Sequence, residues 1–441
     1  MNRERLSAAA FLFLLSLFTA TSWAQTDSLK NKMSFGMNFM LHGETCVGGL
    51  PKTGSRYIKA DDHSRFLLGR LRLNADYERN GLQLHAVIQN KAVWGTGGNT
   101  AMSLYEGYAK MTAKNGLFAQ LGRVALAYDD ERIIGPNDWA MAAKSHDVLR
   151  LGYEGHGHKL HAILAYNQTA ANTNGGSFYK NGSQPYKNMQ TLWYHYDLPK
   201  VPLGASLLFM NIGMQGGDTE EDGHTEYQQL VGGYVKYAPK QWSAEFSYYR
   251  QMGTYEEGNV DINAWMLSTK LQLEPAYNYG FLAGFDYLSG DDQFAVPDQG
   301  QIGVIHHKTI KGFNPVYGSH HQFYGAMDFF YVSTYVNGFT PGLQNAYIGG
   351  HYKPIKGLDI SAKYHYLAIA TKLEDIDKTL GHEIEIEASY KIMKDVNLSA
   401  GYSYMIGTET MERLKRASDQ GSLRWAWLSL GISPKLFTNK W

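Results

Sequence analysis

The chain holds a single cysteine, Cys46, in 441 residues. No intramolecular disulfide can form, which excludes the disulfide-stapled classes. Charge of one sign is missing too: 41 Lys and Arg face 41 Asp and Glu, leaving no net charge to recruit nucleic acid. Proline is scarce, at 12, and no Pro/Ser-rich linker divides the chain, although a soluble protein of this length would be expected to split into domains. Beyond residue 24 no apolar run is long enough for a membrane helix. What is plentiful is tyrosine, 31 residues, and glycine, 47, within a total aromatic share of 13%. That profile suits many strands with aromatics at an interface.

The first 25 residues read MNRERLSAAAFLFLLSLFTATSWAQ. Arg3 and Arg5 give a positive start, Ala8 to Phe18 a short apolar run, and Ser22-Trp23-Ala24 a small-x-small site. This is the secretory pattern, with the cut expected after Ala24. The expected division is a signal peptide over residues 1–24 and one barrel over 25–441. No Cys follows the cut, which argues against a lipoprotein.

From there the chain alternates with period two. Leu67, Gly69, Leu71, Leu73, Ala75 and Tyr77 fall on one face, and Leu68, Arg70, Arg72, Asn74 and Asp76 on the other, because successive strand side chains point to opposite faces. Asn80-Gly81 follows, a strong hairpin signal. The same grammar recurs in Trp242 to Tyr249, Glu383 to Tyr390 and Asn397 to Tyr404. A soluble sandwich would also alternate. Here, however, the apolar faces tend to end in Tyr or Trp, and short connections, at 79–81, 114–116, 155–157, 197–202, 238–240, 274–278, 353–357 and 393–395, alternate with long ones, at 128–144, 168–188, 289–342 and 406–422. Short periplasmic turns and long external loops mark outer-membrane barrels. The expected fold is all-β: a transmembrane antiparallel up-and-down barrel of about 18 strands, centred near residues 37, 72, 87, 108, 121, 150, 164, 193, 207, 233, 247, 267, 284, 348, 363, 387, 401 and 428.

Two stretches resemble the alginate-export family of outer-membrane barrels in its Bacteroidetes branch. The first is GRVALAYDDERIIGPNDWAMAAKSHDVLRLGY, Gly122 to Tyr153, where Gly122, Arg123, Tyr128, Asp130, Arg132, Gly135, Trp139, His146 and Asp147 match and Val124 replaces the usual Gln. The second is FNPVYGSHHQFYGAMDFF, Phe313 to Phe330. Trp94-Gly95, Tyr105-Glu106, Trp193-Tyr194 and Tyr364-His365-Tyr366 add to it. The resemblance implies a monomeric barrel of eighteen strands in the outer membrane of a Gram-negative cell. In its best-studied type an Arg-lined pore exports an anionic polysaccharide.

By alternation Arg70, Arg72, Lys91, Glu106, Arg150, Glu245, Lys363 and Glu385 face the lumen with Leu71 on lipid. Arg123 shares parity with Leu117 and Leu121, so its inward placement requires a local bulge and follows the resemblance. Guanidinium groups bind carboxylates in bidentate geometry and keep their charge, and a ring of them favours anions. The alternative reading pairs these cations with lumenal carboxylates that brace the wall. The long connection 289–342 carries Phe313, Tyr317, Phe323, Tyr324, Phe329 and Phe330, too apolar to extend into water, so it is expected to fold over or into the pore, with Phe313, Tyr317, His320, His321, Phe323 and Asp328 as its candidates for a constriction. His306-His307 and His320-His321 lack ligand spacing, so no metal or cofactor is expected. Ser145-His146-Asp147 cannot be a triad, since adjacent strand residues point apart, and no nucleophile elbow occurs; no enzyme is expected. The function read here is an outer-membrane channel for a hydrophilic, anionic solute such as an acidic polysaccharide or oligosaccharide, with a general or substrate-specific diffusion porin as the alternative. Expected partners are outer-membrane lipids and lipopolysaccharide, the solute and the barrel assembly machinery, with no nucleic acid.

Overall fold

The computed structural model describes residues 31–48, 58–59, 63–97, 102–171, 185–255, 260–292, 308–332, 340–373, 375–415, 417–418 and 422–441, with 173, 176, 178 and 179. The expected signal peptide, His306 and His307 lie outside the described residues. Eighteen wall strands appear among them: β1 Asn31–Val47, β2 His63–Arg79, β3 Leu82–Val93, β4 Met102–Thr112, β5 Leu117–Val124, β6 His146–Gly155, β7 His158–Tyr166, β8 Asn188–Asp197, β9 Leu203–Gly216, β10 His224–Tyr237, β11 Trp242–Tyr255, β12 Val260–Ala276, β13 Tyr279–Leu288, β14 Leu343–Tyr352, β15 Leu358–Ala368, β16 Thr379–Met393, β17 Val396–Gly407 and β18. The last runs as Leu423–Ile432 and resumes as Lys435–Lys440. Every strand centre read from the sequence falls inside its strand.

Each strand pairs antiparallel with its chain neighbours, and β1 closes the ring by pairing with β2 on one side and β18 on the other. Closure leaves no open edge in hydrocarbon, which is the condition for a spanning sheet. Pro434 cannot donate to the ladder, and the register slips there between Phe35 and Gly36. Beyond it Phe437 rejoins the wall opposite Phe35, with ring centroids 6.2 Å apart. The short turns have the chemistry their sequence demands. Asn80 and Gly81 both take positive φ, as do His156 and Gly157, the geometry of tight hairpins.

The two faces differ as expected. Leu73, Leu84, Leu121, Phe246, Ile348, Ile386 and Leu428 lie exposed on the outer surface, whereas Arg70, Arg72, Gln89, Gln120 and Glu385 are buried inside. Trp242 begins β11 and Tyr279 pairs with Tyr352 at the short-turn end, while Trp265 stacks on Tyr287 (4.7 Å) toward the long-loop end. These are two aromatic girdles. No helix among the described residues is long and apolar enough to cross a membrane. Leu71 belongs to the outer face. Replacing it with Arg should cost about 2–4 kcal/mol near the bilayer midplane, and Arg72→Leu should cost the wall itself less. Equal folding of Leu71→Arg and wild type in lipid bilayers, scored by heat-modifiable mobility, would show the faces assigned in reverse.

Candidate functional site: a lumen crossed by two loops

The apolar core of this protein lies inside the barrel. Inward wall residues Ile163, Met189, Met210, Leu230, Met266 and Leu367 pack against Ile133 and Ile134 of the β5–β6 connection, and against Phe313, Tyr317, Tyr324, Phe329 and Phe330 of the β13–β14 connection. A solvent-filled porin would carry polar side chains at such wall positions. Here the wall is apolar where two loops cover it. The aromatics of the β13–β14 loop predict that it folds over or into the pore, and its described part lies inside. The β5–β6 loop was read only as a long external connection, and it proves to cross the lumen as well.

The loops touch each other. Ile134 and Tyr317 form a parallel bridge, the Ser319 hydroxyl donates to Glu131 (2.9 Å) and accepts from the Asn137 amide (2.9 Å), and Lys144 Nζ donates to the Gly318 carbonyl (2.7 Å). A side chain at Gly318 would run into the Arg132 carbonyl, so glycine permits the approach. Burial lowers the Lys144 ammonium to about 8 and the His320 imidazole to about 3, as expected where water is excluded from charged forms.

The wall grips the loops through charge. Arg70, 1% exposed, donates to Asp138 Oδ1 and to the Asp138 carbonyl (3.1 and 3.0 Å). Arg72 donates to the same carboxylate at 2.6 Å and to Gln89 at 2.7 Å, while Gln89 donates to the Ala142 carbonyl. On the opposite wall Arg132, reaching out of the loop, lies 3.1 Å from Asp286 and 3.1 Å from the Tyr324 hydroxyl, with Asp130 at 3.2 Å and its guanidinium 4.0 Å over the Phe323 ring. Asp286 accepts from Ser268 (2.7 Å) and Asn345 (2.9 Å). The chain of contacts continues from Asn345 through His365 to Glu385, which also binds Lys363 (3.1 Å) and accepts the Ala326 amide (2.6 Å). Glu383, one inward position along, accepts the Met327 amide (2.9 Å). His321 pairs with Asp328 (2.8 Å) and stacks on Trp139 (4.2 Å), which sits among His42, Trp425 and Trp427. Burial raises the Asp328 carboxyl above the usual range.

Several expected residues take other roles. Arg123 is corrected: its register against β6 runs unbroken from Leu117 to Val124, so no bulge turns it inward. It shares the outer face with Leu121, 64% exposed, and makes a bidentate pair with Asp147 (2.8 and 2.7 Å). Glu106 faces inward but meets the Ala125 amide (3.0 Å) and His85 (3.6 Å), and no arginine. Arg150 reaches the Tyr128 hydroxyl (3.2 Å). Lys91 lies opposite Arg70 in the register and is exposed. Among the described residues no group of three or more His, Cys, Asp or Glu side chains could hold a metal ion.

Below the loops, toward the short-turn end, open space remains. A cavity of about 300 Å³ is lined by Arg132, Lys236, Glu245, Lys270, Asp286 and Lys363, and one of about 640 Å³ by Arg150, Lys159, His161, Trp193, His195 and Asp197; Asp129, Tyr234 and Lys236 belong to both. Lys236, Glu245 and Lys270 lie directly side by side on β10, β11 and β12, with both ammonium groups 3.1 Å from the one carboxylate.

A family model described as alginate export matches residues 99–396. Comparison with curated proteins finds no match. Among solved structures, Pseudomonas aeruginosa OccK5 (OpdH) superposes with a TM-score of 0.59 at 14% identity, over 92% of this chain and 98% of that one. P. aeruginosa OpdO gives 0.61 at 13%, covering 92% and 98%. Acinetobacter baumannii OccAB1 gives 0.57 at 13%, covering 92% and 97%. At these identities the likeness is one of fold.

Proposed function

The chain belongs to the alginate-export family and is an outer-membrane channel, and from that premise we propose that it conducts a hydrophilic, anionic solute such as an acidic polysaccharide or oligosaccharide. It acts as a conduit and not a catalyst, as a monomer set among lipopolysaccharide and put in place by the barrel assembly machinery after signal-peptide cleavage. The observation that supports the anionic solute is that at two places in the lumen a pair of cations shares one carboxylate. Arg70 and Arg72 share Asp138, and Lys236 and Lys270 share Glu245, so each cluster keeps a net positive charge. Positive clusters spaced along a pore let a polyanion move between weak sites. The loops crossing the lumen make passage conditional on their displacement.

The lysine pair carries the test. A unit charge about 4 Å away is worth about 1 kcal/mol in water, roughly fivefold in an ion's local concentration. Replacing Lys236 and Lys270 with Ala changes that cluster from net positive to net negative. The anion-over-cation permeability ratio, from the reversal potential in a salt gradient, should fall at least fivefold, and an oligo-uronic acid added on the short-turn side should lose its ability to block current. An unchanged ratio, together with unhindered flux of small neutral solutes, would favour the general diffusion porin instead.

A further inference from the structure

One patch of the outer wall breaks the pattern of the rest. On β2, β1 and β18 the register sets three successive outward rows: Leu67, Gly43 and Leu428, then Arg65, Thr45 and Ala426, then His63, Val47 and Arg424. Rows on one face lie two residues apart, about 6.6 Å along the strand, and neighbouring strands about 4.8 Å apart. Gly43 has no side chain where its flanking strands carry Leu67 and Leu428, and the gap makes a mostly apolar groove of about 580 Å³ with Arg65 at its upper edge. Next to it, on β17, Tyr402 lies opposite Ala426 and Tyr404 opposite Arg424; Trp94 lies against Gly69, one row below Leu67. The groove thus meets the aromatic girdle, where hydrocarbon gives way to headgroups.

Two outer-face cations elsewhere are answered. Arg123 binds Asp147, and Arg250 donates to Asn263. Among the described residues Arg65 and Arg424 are exposed, none of the three rows carries a carboxylate, and Arg424 has only the Tyr404 ring, 5.8 Å away. An exposed guanidinium pair at headgroup level, above a mostly apolar groove, is complementary to an anionic lipid. The two arginine positions lie about 12 Å apart, two strands across and one row along, which suits a headgroup with two separated phosphates. We propose that this face is a specific site for a phosphorylated outer-leaflet lipid of the lipid A class: the guanidinium groups bind its phosphates and the Gly43 groove seats one acyl chain.

The test uses the folded full-length barrel, delipidated in detergent, and native mass spectrometry with bisphosphorylated lipid A. Wild type should retain one lipid A. Arg65→Ala with Arg424→Ala should weaken retention about thirtyfold, the expected loss for two cations near a charged lipid. Gly43→Leu keeps both guanidinium groups, fills the groove and should also weaken it. Arg123→Ala with Asp147→Ala, on another part of the wall, should change nothing. Neither dephosphorylated lipid A nor inorganic phosphate should compete. Retention equal to wild type in the double arginine variant would overturn the site, whether or not Gly43→Leu folds. So would competition by inorganic phosphate alone, or crosslinking of two copies through this face.

Discussion

Replacing Arg132 with Ala is expected to lower the stability of the loop-filled barrel by about 3–5 kcal/mol, the usual cost of removing one partner from a buried ion pair. Asp286 is 1% exposed and would keep only the hydroxyl of Ser268 and the amide of Asn345. Two neutral donors do not replace a guanidinium for a carboxylate shut away from water. The same change removes the donor to Tyr324 and the cation over Phe323, so the β13–β14 loop loosens with the β5–β6 loop. The effect should appear as a lower melting temperature and as protease cleavage within residues 125–145 and 308–332. The double variant Arg132→Met with Asp286→Asn should recover most of the loss, because the cost lies in the charge left unpaired. If the single variant melts like wild type, Arg132 does not hold the loops.

The wall was legible in the sequence because a strand in lipid announces both faces. Period two is strict wherever one side meets hydrocarbon, and it located β2, β11, β16 and β17 together with the inward side of Arg70, Arg72, Glu245, Lys363 and Glu385. Parity also carried the true answer for Arg123. It put that residue with Leu121, and the resemblance to an Arg-lined pore pulled it the wrong way. The partners were not legible. Asp138 lies 66 residues from Arg72 and 68 from Arg70 along the chain, in a stretch with no period to reveal which way its carboxylate turns. Arg132, Asp130 and Trp139 stood in the family-like stretch, so their presence was visible while their destination, the far wall and the aromatic nest beside β18, was not. Nothing in the pattern told that Glu383 and Glu385 would accept backbone amides of a loop, since a backbone donor leaves no mark in a sequence. The pairing of lumenal charges, weighed as the bland alternative, is what the geometry displays. Its purpose is to hold the loops more than to brace strand against strand.

That distinction predicts what trimming a loop will do. Replacing residues 313–330 with a short Gly-Ser link should leave assembly intact and raise single-channel conductance several-fold. Assembly survives because β13 and β14 pair directly, from Tyr279 opposite Tyr352 to Leu288 opposite Leu343. The loop's contribution to the described wall is the brief parallel bridge of Thr309 and Ile310 with β12, which the trim spares. Conductance rises because an eighteen-strand barrel encloses an aqueous lumen unless something fills it, and the trim takes Phe313, Tyr317, Tyr324, Phe329 and Phe330 out of that lumen. Heat-modifiable mobility would report the assembly, and planar-bilayer recording the current. Unchanged conductance in a folded barrel would mean that the β5–β6 loop closes the lumen alone, still clamped by Arg70 and Arg72. Adding Asp138→Ala to the trim then separates the cases: current that rises only in the combined variant assigns the closure to both loops, and current that stays low in both removes the two loops from the gating of this channel.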